Sequence, residues 1–472
     1  MTSLLVLSFK DSVSVSGDSK DDFSLHSPIL NLDLREVSEG LRDAIAILSN
    51  GGATETELSK VIVDADGSCT LPQFYYYLER FISFGLICHS LKVDDRVLAS
   101  LIPFSVPYKP TLTGVKVDDK YVLSRFAYCH REGSQIIWQS PLSQAKIILT
   151  DWRGAAILIE LAQPQDCFSL TKISGVTLEL AQTFLNLCCS ANLLSMLDEE
   201  GRVVEAENEV LAQWEFHDLL FHSLSRKGRQ TNAVGKSFRF LGKIKPLPAV
   251  KATVTQDVIR LYKPNIQQLE QVDPSFTSVV EQRKSLRSYG DRSISARQLG
   301  EFLYRCARVR KIVPREYIEC SDRPYPSGGA SYELELYLAI NICEDINSGI
   351  YHYCPQNHLL EKISSKNDYL EALLTNAQKA NGEDCLPQVL IIITARFARV
   401  SWAYESIAYS LILKHVGVLY QTMYLVATAM NLAPCALGTG NPDLFAAATG
   451  IDYYAESSVG EFILGNQLKI KN

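Results

Sequence analysis

The chain has 472 residues, of which 47% are hydrophobic and 21% charged, and a formal net charge of −7. This balance excludes a disordered chain and leaves room for roughly two to four domains. The acidic charge excludes general electrostatic attraction to nucleic acid.

Twelve cysteines are present, none in a C-x-x-C arrangement. The only close pair, Cys188 and Cys189, is adjacent on one predicted helix. Zinc requires spaced ligands that converge on one point, so no metal site is predicted. The thiols read as small buried hydrophobes in a reducing cytoplasm. The opening Ser3–Phe9 run is too short for a signal peptide and lacks a basic start and a cleavage site. Lys414, His415 and Gln421 interrupt the one candidate membrane span, Ser406–Leu432. A soluble protein is expected, with that stretch as a long, mostly apolar helix buried in a domain or a dimer.

The first two hundred residues read as one unit written twice. The first copy has alternating apolar residues over Leu4–Val15 and a turn at Gly17-Asp18. Helices follow at Leu41–Ile47, Thr54–Ile62 and Leu71–Phe84, and a strand starts at Leu86. The second copy has a strand at Tyr121–Tyr128, a hairpin at Gly133-Ser134 and a helix at Trp152–Leu161. A short segment at Leu170–Ile173, a helix at Leu178–Ala191 and a strand at Leu193–Leu197 complete it. Strand pair, three helices and a strand wing is a winged-helix order, and such folds usually bind DNA through a basic third helix. Here those helices, Leu71–Arg80 and Leu178–Leu185, are nearly neutral or acidic and cannot neutralise many phosphates. Two readings stay open: capture of an extended peptide beside helix three, or a packing and dimer-supporting role.

Gln213–Pro248 reads as a connector holding a short helix and a small basic patch at Ser225–Arg229. Its His217 and His222 are five apart, unlike the i, i+4 spacing of a helical metal pair.

Helix signals resume at Pro274-Ser275 and run into Gln282-Arg-Lys-Ser-Leu-Arg-Ser-Tyr289. In an extended segment, Arg283, Ser285 and Arg287 point to one side, where two guanidiniums and a hydroxyl suit a phosphate. Ser295 and Gln298 form a capping box at the next helix. Arg323-Pro-Tyr-Pro-Ser-Gly-Gly329 then fixes the backbone and lets it approach a flat ligand closely. Taken singly, the first stretch reads as a solvated helix end and the second as a turn. Strands are predicted over Leu334–Ile342, Ile350–Tyr353, Gln388–Thr394 and Val459–Leu464, giving an α+β domain with a mainly antiparallel sheet. No G-x-G-x-x-G follows a strand, so a Rossmann cofactor domain is absent.

In this order, the two motifs resemble the flavin-dependent nitroreductase superfamily. The Arg-Pro-Tyr-Pro-Ser-Gly-Gly run is similar to its SagB-type branch, the azoline oxidases of modified-peptide pathways. Two winged-helix units ahead of such a domain resemble the cyanobactin-type thiazoline oxidases, in which units of this form bind a leader peptide. The resemblance implies winged-helix peptide-recognition-like units over 1–105 and 106–205, a connector over 206–250 and a nitroreductase-like FMN domain over 251–472. It implies FMN as cofactor, with phosphate on Arg283, Ser285 and Arg287. Pro326, Ser327 and Gly328 would run along the isoalloxazine, with Gln421 near the ring. Leu437, Gly438 and Thr439 would bring a backbone N–H to flavin N5. A heterocyclised precursor peptide is the implied substrate and a homodimer the implied assembly. The branch uses a Lys-Tyr pair for proton removal. Here Tyr404 matches the Tyr, but Ala403 stands at the Lys position, and Lys414 is the remaining candidate amine. An NAD(P)H-dependent nitro or quinone reductase and a non-catalytic peptide scaffold are the alternatives.

Overall fold

The structure is a computed structural model that describes residues 3–19, 22–28, 30–230, 232–253 and 255–468. The chain divides into two units, 1–232 and 233–472.

The first unit is built on a six-stranded antiparallel sheet. Its strands are β1 (Ser3–Phe9), β2 (Ile87–Val93), β3 (Arg96–Pro103), β4 (Tyr128–Glu132), β5 (Gln135–Gln139) and β6 (Ala145–Leu149), in the order β1-β2-β3-β6-β5-β4. Strands from both sequence copies thus share one sheet, joined where Ala145–Leu149 pairs with Pro103–Ala99. Helices α1 (Glu39–Ser49), α2 (Glu55–Asp66) and α3 (Leu71–Ser83) follow the first strand. Ser38 caps α1, and Thr54 and Glu57 form a capping box on α2, which satisfies backbone N–H groups at each helix start. The second copy contributes α4 (Trp152–Glu160) and α5 (Leu178–Ser190), capped by Asp151 and Thr177. One apolar core lies within the first copy, whereas the other joins the helices of the second copy to Leu91, Val93, Leu98, Ala99 and Leu101 of the first. The sequence reading missed β3, β6 and a small sheet of Ser14–Ser19, Asp22–His26 and Asn31–Leu34.

The second unit is a seven-stranded antiparallel sheet with helices on both faces. Its strands are β7 (Val258–Arg260), β8 (Leu334–Ile340), β9 (Gly349–Cys354), β10 (Leu359–Ser365), β11 (Val389–Arg396), β12 (Leu432–Leu437) and β13 (Glu456–Asn466), in the order β7-β10-β9-β8-β11-β13-β12. α6 (Phe276–Gln282) leads into the first motif, and α7 (Ala296–Ala307) opens on the Ser295–Gln298 capping box. The strand period places Leu334, Leu336, Leu338 and Ile340 on one face, in a core with α7 and α9 (Ala408–Ala429). Tyr337 and Ala339 face the other way, into a core with α8 (Asp368–Asn381) and α10 (Pro442–Thr449). Both faces of β8 are therefore buried.

The apolar stretch 406–432 forms α9 and the start of β12. Among the described residues, no helix is long and apolar enough to cross a membrane. One side of α9 (Ile412, His415, Val416, Leu419, Met423 and Ala427) is buried. Tyr409, Leu413, Gly417 and Gln421, spaced four apart, form an exposed stripe along it.

Candidate active site

Helix α9 is the spine of the site, because both motifs are tied to it. At its C-terminal half, Ser285 Oγ lies 2.8 Å from Tyr424 Oη, and the Arg283 guanidinium stands 5.3 Å from the Tyr424 ring centre. The Ala436 N–H donates to Tyr424 Oη at 2.8 Å. The Tyr424 hydroxyl therefore joins the Ser285 side chain to the backbone of β12. Leu286 N–H donates to Pro434 O at 2.8 Å and Asn381 Nδ2 to Arg287 O at 3.1 Å, so the segment is anchored to β12 and α8. Arg287 itself is exposed. Among the described residues neither Arg283 nor Arg287 has a carboxylate partner. Two unneutralised guanidiniums and a hydroxyl within five residues fit the phosphate of a flavin mononucleotide.

At the N-terminal half of α9, His415 holds the second motif. Gly328 N–H donates to His415 Nε2 at 2.7 Å, so Nδ1 carries the imidazole proton. Nδ1 faces Glu333 Oε1 at 2.7 Å, and Glu333 is fully buried. Ser327 Oγ is 3.5 Å from the same nitrogen and accepts from Tyr332 N–H at 3.0 Å. The Gly328 N–H is therefore engaged within the protein, while Pro326 is exposed and Ser327 half-buried. Gly329 has φ +64°, a left-handed conformation suited to glycine.

The arginines around this loop are structural. Arg323 is buried and donates to Leu334 O at 3.1 Å and, at 3.5 Å, to Ala249 O. Arg399, also buried, donates to the carbonyls of Ser331, Leu247 and Glu319. Burial pushes its guanidinium down to about 10, and nearby Arg396 adds to that.

Tyr404 stands beside the loop, half-buried. A Cβ added to Gly329 would come 2.5 Å from Tyr404 Oη and 3.3 Å from Lys236 Nζ. Lys414 is exposed on α9, and so is Gln421.

The third predicted segment follows β12. Leu437 is buried in the core with α8 and α10, whereas an added Cβ at Gly438 would meet nothing within 4 Å. The next glycine differs, because a Cβ at Gly440 would collide with the Glu461 carboxylate. Burial pushes that carboxyl up, against a hydrogen bond from Ser458. Thr439 and Gly440 line a small cavity with Asn376, Phe445 and Glu461.

On the face of the sheet toward α8 lies a buried ion network. His352 is 3.0 Å from Glu361 through Nδ1 and 3.2 Å from Glu335 through Nε2. Arg396 reaches Glu335 at 3.2 Å, and Lys251 reaches Glu456 and the Tyr337 hydroxyl at 2.6 Å each.

The two motifs do not meet on one side of a single chain. His415 and Tyr424 are nine residues apart, two and a half turns, so they leave α9 on opposite flanks. Sequence reasoning missed His415, Glu333, Tyr424 and Lys236 as site residues. His415 had a signal, as a polar residue within a long apolar helix. Lys236 had none, because its partner lies far along the chain.

Known proteins match separate stretches of the chain. Residues 1–111 match the ThcOx helix-turn-helix domain, residues 121–231 match cyanobactin oxidase ThcOx, and residues 280–465 match the nitroreductase family. A nitroreductase of Methanocaldococcus jannaschii is 24% identical over 182 residues, which is 39% of this chain and 85% of the relative. The microcin B17-processing protein McbC of Escherichia coli is 28% identical over 116 residues, 23% of this chain and 42% of McbC. Among solved structures, the E. coli microcin synthetase McbBCD complex with truncated pro-MccB17 is similar at TM-score 0.33 and 21% identity, over 48% of this chain and 90% of that one. The helix-turn-helix, cyanobactin-oxidase and nitroreductase matches follow one another along the sequence, each over less than half of the chain, and the chain is an oxidoreductase similar to the cyanobactin oxidases and to the nitroreductase family.

Proposed function

We propose that this chain is an FMN-dependent oxidase that dehydrogenates thiazolines, and oxazolines by the same chemistry, in a ribosomally made peptide, with O₂ as final acceptor. The observation that carries the reading is the meeting of Tyr404 with the Pro326–Gly329 loop in a chain of this type. Bound FMN would supply a two-electron acceptor whose N5 takes a hydride.

Arg283, Ser285 and Arg287 hold the phosphate, and the His415-anchored loop sets the wall at Ser327. The segment Leu437, Gly438 and Thr439 offers backbone to the ring edge, where the openness at Gly438 leaves room. Gln421 and Lys414 sit on the exposed side of α9, available to a second copy rather than to their own core. Removing two hydrogens from an azoline requires a base for the one alpha to the carbonyl. Tyr404 fills that role, and the aromatic product drives the reaction.

The opposite-flank arrangement on α9 supports a homodimer whose site is shared: phosphate residues from one copy, Tyr404 and its loop from the other. The exposed stripe Tyr409, Leu413, Gly417 and Gln421 suits the contact. We assign 1–105 and 106–205 as peptide-recognition-like units, 206–250 as connector and 251–472 as the FMN domain, working in the cytoplasm on a heterocyclised precursor.

The test is mass spectrometry of a thiazoline peptide incubated in air with the purified flavoprotein. Loss of two hydrogens per ring, reduced about 100-fold or more in Tyr404→Phe with flavin content unchanged, supports the reading. No mass change, together with rapid NAD(P)H consumption with nitro or quinone acceptors, replaces it with a reductase. A colourless protein that binds precursor peptide replaces it with a scaffold.

A further inference from the structure

Tyr404 belongs to a two-residue ladder in which Gly235-Lys236 runs antiparallel to Tyr404-Glu405, with Lys236 directly opposite Tyr404. Opposed residues in a ladder project to the same face. Lys236 Nζ lies 5.5 Å from the Tyr404 ring centre, and both side chains converge on Gly329. The ladder is held from behind by Ser237 N–H and Phe238 N–H, which both donate to Ala403 O. Trp402 Nε1 donates to Ile244 O at 2.7 Å and pins the same strap further along.

The charges around Tyr404 are few. Burial pushes its phenol up, Cys320 adds to this and Arg315 opposes it. Glu405 is engaged by Arg239 at 3.8 Å. Among the described residues, no carboxylate pairs with Lys236. A phenol whose pKa is raised by partial burial is a poor base unless a cation stabilises its phenolate.

We propose that Lys236 is that cation, a positioning residue that acts through Tyr404 and stands in space where Ala403 leaves the local sequence without an amine. The inference rests on the azoline-oxidase reading. With the ammonium alongside, the Tyr404 phenolate Oη takes the proton from the azoline carbon alpha to the carbonyl. The electron pair of that C–H bond enters the new ring double bond as the second hydrogen leaves as hydride to the acceptor named above. The proton on Tyr404 then passes to solvent, and Lys236 ends the cycle in its starting charge state.

The experiment is ¹⁹F NMR of the full-length protein labelled with 3-fluorotyrosine, the Tyr404 signal being identified by its loss in Tyr404→Phe. Lys236→Met should raise the Tyr404 titration midpoint by about one pH unit, while Lys236→Arg keeps it near wild type. With a thiazoline peptide, the acid limb of the kcat profile should move in the same direction in Lys236→Met and recover in Lys236→Arg. Lys236 is exposed, so these variants should fold normally. An unmoved Tyr404 midpoint in Lys236→Met overturns the proposal. A moved midpoint in a protein that oxidises no azoline leaves the Lys236–Tyr404 coupling standing and removes the substrate reading instead.

Discussion

His415 Nε2 accepts the Gly328 N–H at 2.7 Å while Nδ1 faces the buried Glu333 carboxylate at 2.7 Å, so one imidazole joins a turn to the interior. Replacing it leaves a backbone donor and a carboxylate without their shared partner. His415→Leu should lose about 2–3 kcal/mol of stability in urea unfolding and release flavin more readily. His415→Gln, which can still accept from Gly328, should recover part of both. Equal effects of the two variants would show that the ring's bulk, and not its hydrogen bonds, matters.

The two glycines after β12 should separate a packing role from a ligand role. Gly440→Ala drives a methyl into the Glu461 carboxylate and should cost about 1–3 kcal/mol of stability. Gly438→Ala meets no protein atom, so its thermal midpoint should stay within error of wild type. If flavin lies where we place it, Gly438→Ala should nonetheless weaken FMN binding about tenfold, read by fluorescence of released flavin.

Because Ser285 and Gly328 are bound to opposite flanks of α9, a shared site makes a complementation test possible. Arg283→Ala and Tyr404→Phe should each abolish most turnover on their own. Unfolding and refolding the two variants together should restore a fraction of the activity, since one site in each mixed dimer contains neither defect. No recovery in mixed dimers shown to have formed would place both groups on the same copy's ligand.

The His352 network sets a pH dependence of stability. Burial opposes charging of His352, but its hydrogen bonds to Glu335 and Glu361 outweigh burial and raise its pKa above the ordinary 6.5. Its stabilising contribution is therefore complete below that value and lost as pH rises through the folded-state pKa. Burial also pushes the Glu335 carboxyl up, yet the His352 hydrogen bond and the charges of Arg323, His352 and Arg396 bring it down to about 2. That contribution is present above its usual 4.5 and disappears as pH falls toward 2. Tm measured from pH 5 to 9 should decline on the alkaline side, and His352→Gln should flatten the decline while lowering the plateau.

Much of the second unit was legible in the sequence because its signals are local. The Ser295–Gln298 box, the helix start at Ser275 and the alternation from Leu334 each depend on neighbours within a few residues. Arg283 and Ser285 were proposed in the same way, from their spacing, and the structure ties Ser285 to Tyr424. What spacing could not convey was pairing between distant segments. The Lys236–Tyr404 ladder, the β3–β6 junction and the Tyr424 link to Ala436 are all tertiary. Lys414 shows the opposite difficulty: it interrupts an apolar run, but helical phase turns it outward while His415, its neighbour, turns in.

The junction between β3 and β6 has a consequence for dividing the first unit. Arg96–Pro103 and Ala145–Leu149 satisfy each other's backbone groups, so a chain cut between them would leave two unpaired strand edges. Such edges are templates for pairing with other chains. Either half expressed alone should self-associate, whereas fragments mixed before refolding should find each other. The two stretches that read as separate units in the sequence are thus not separable in the protein.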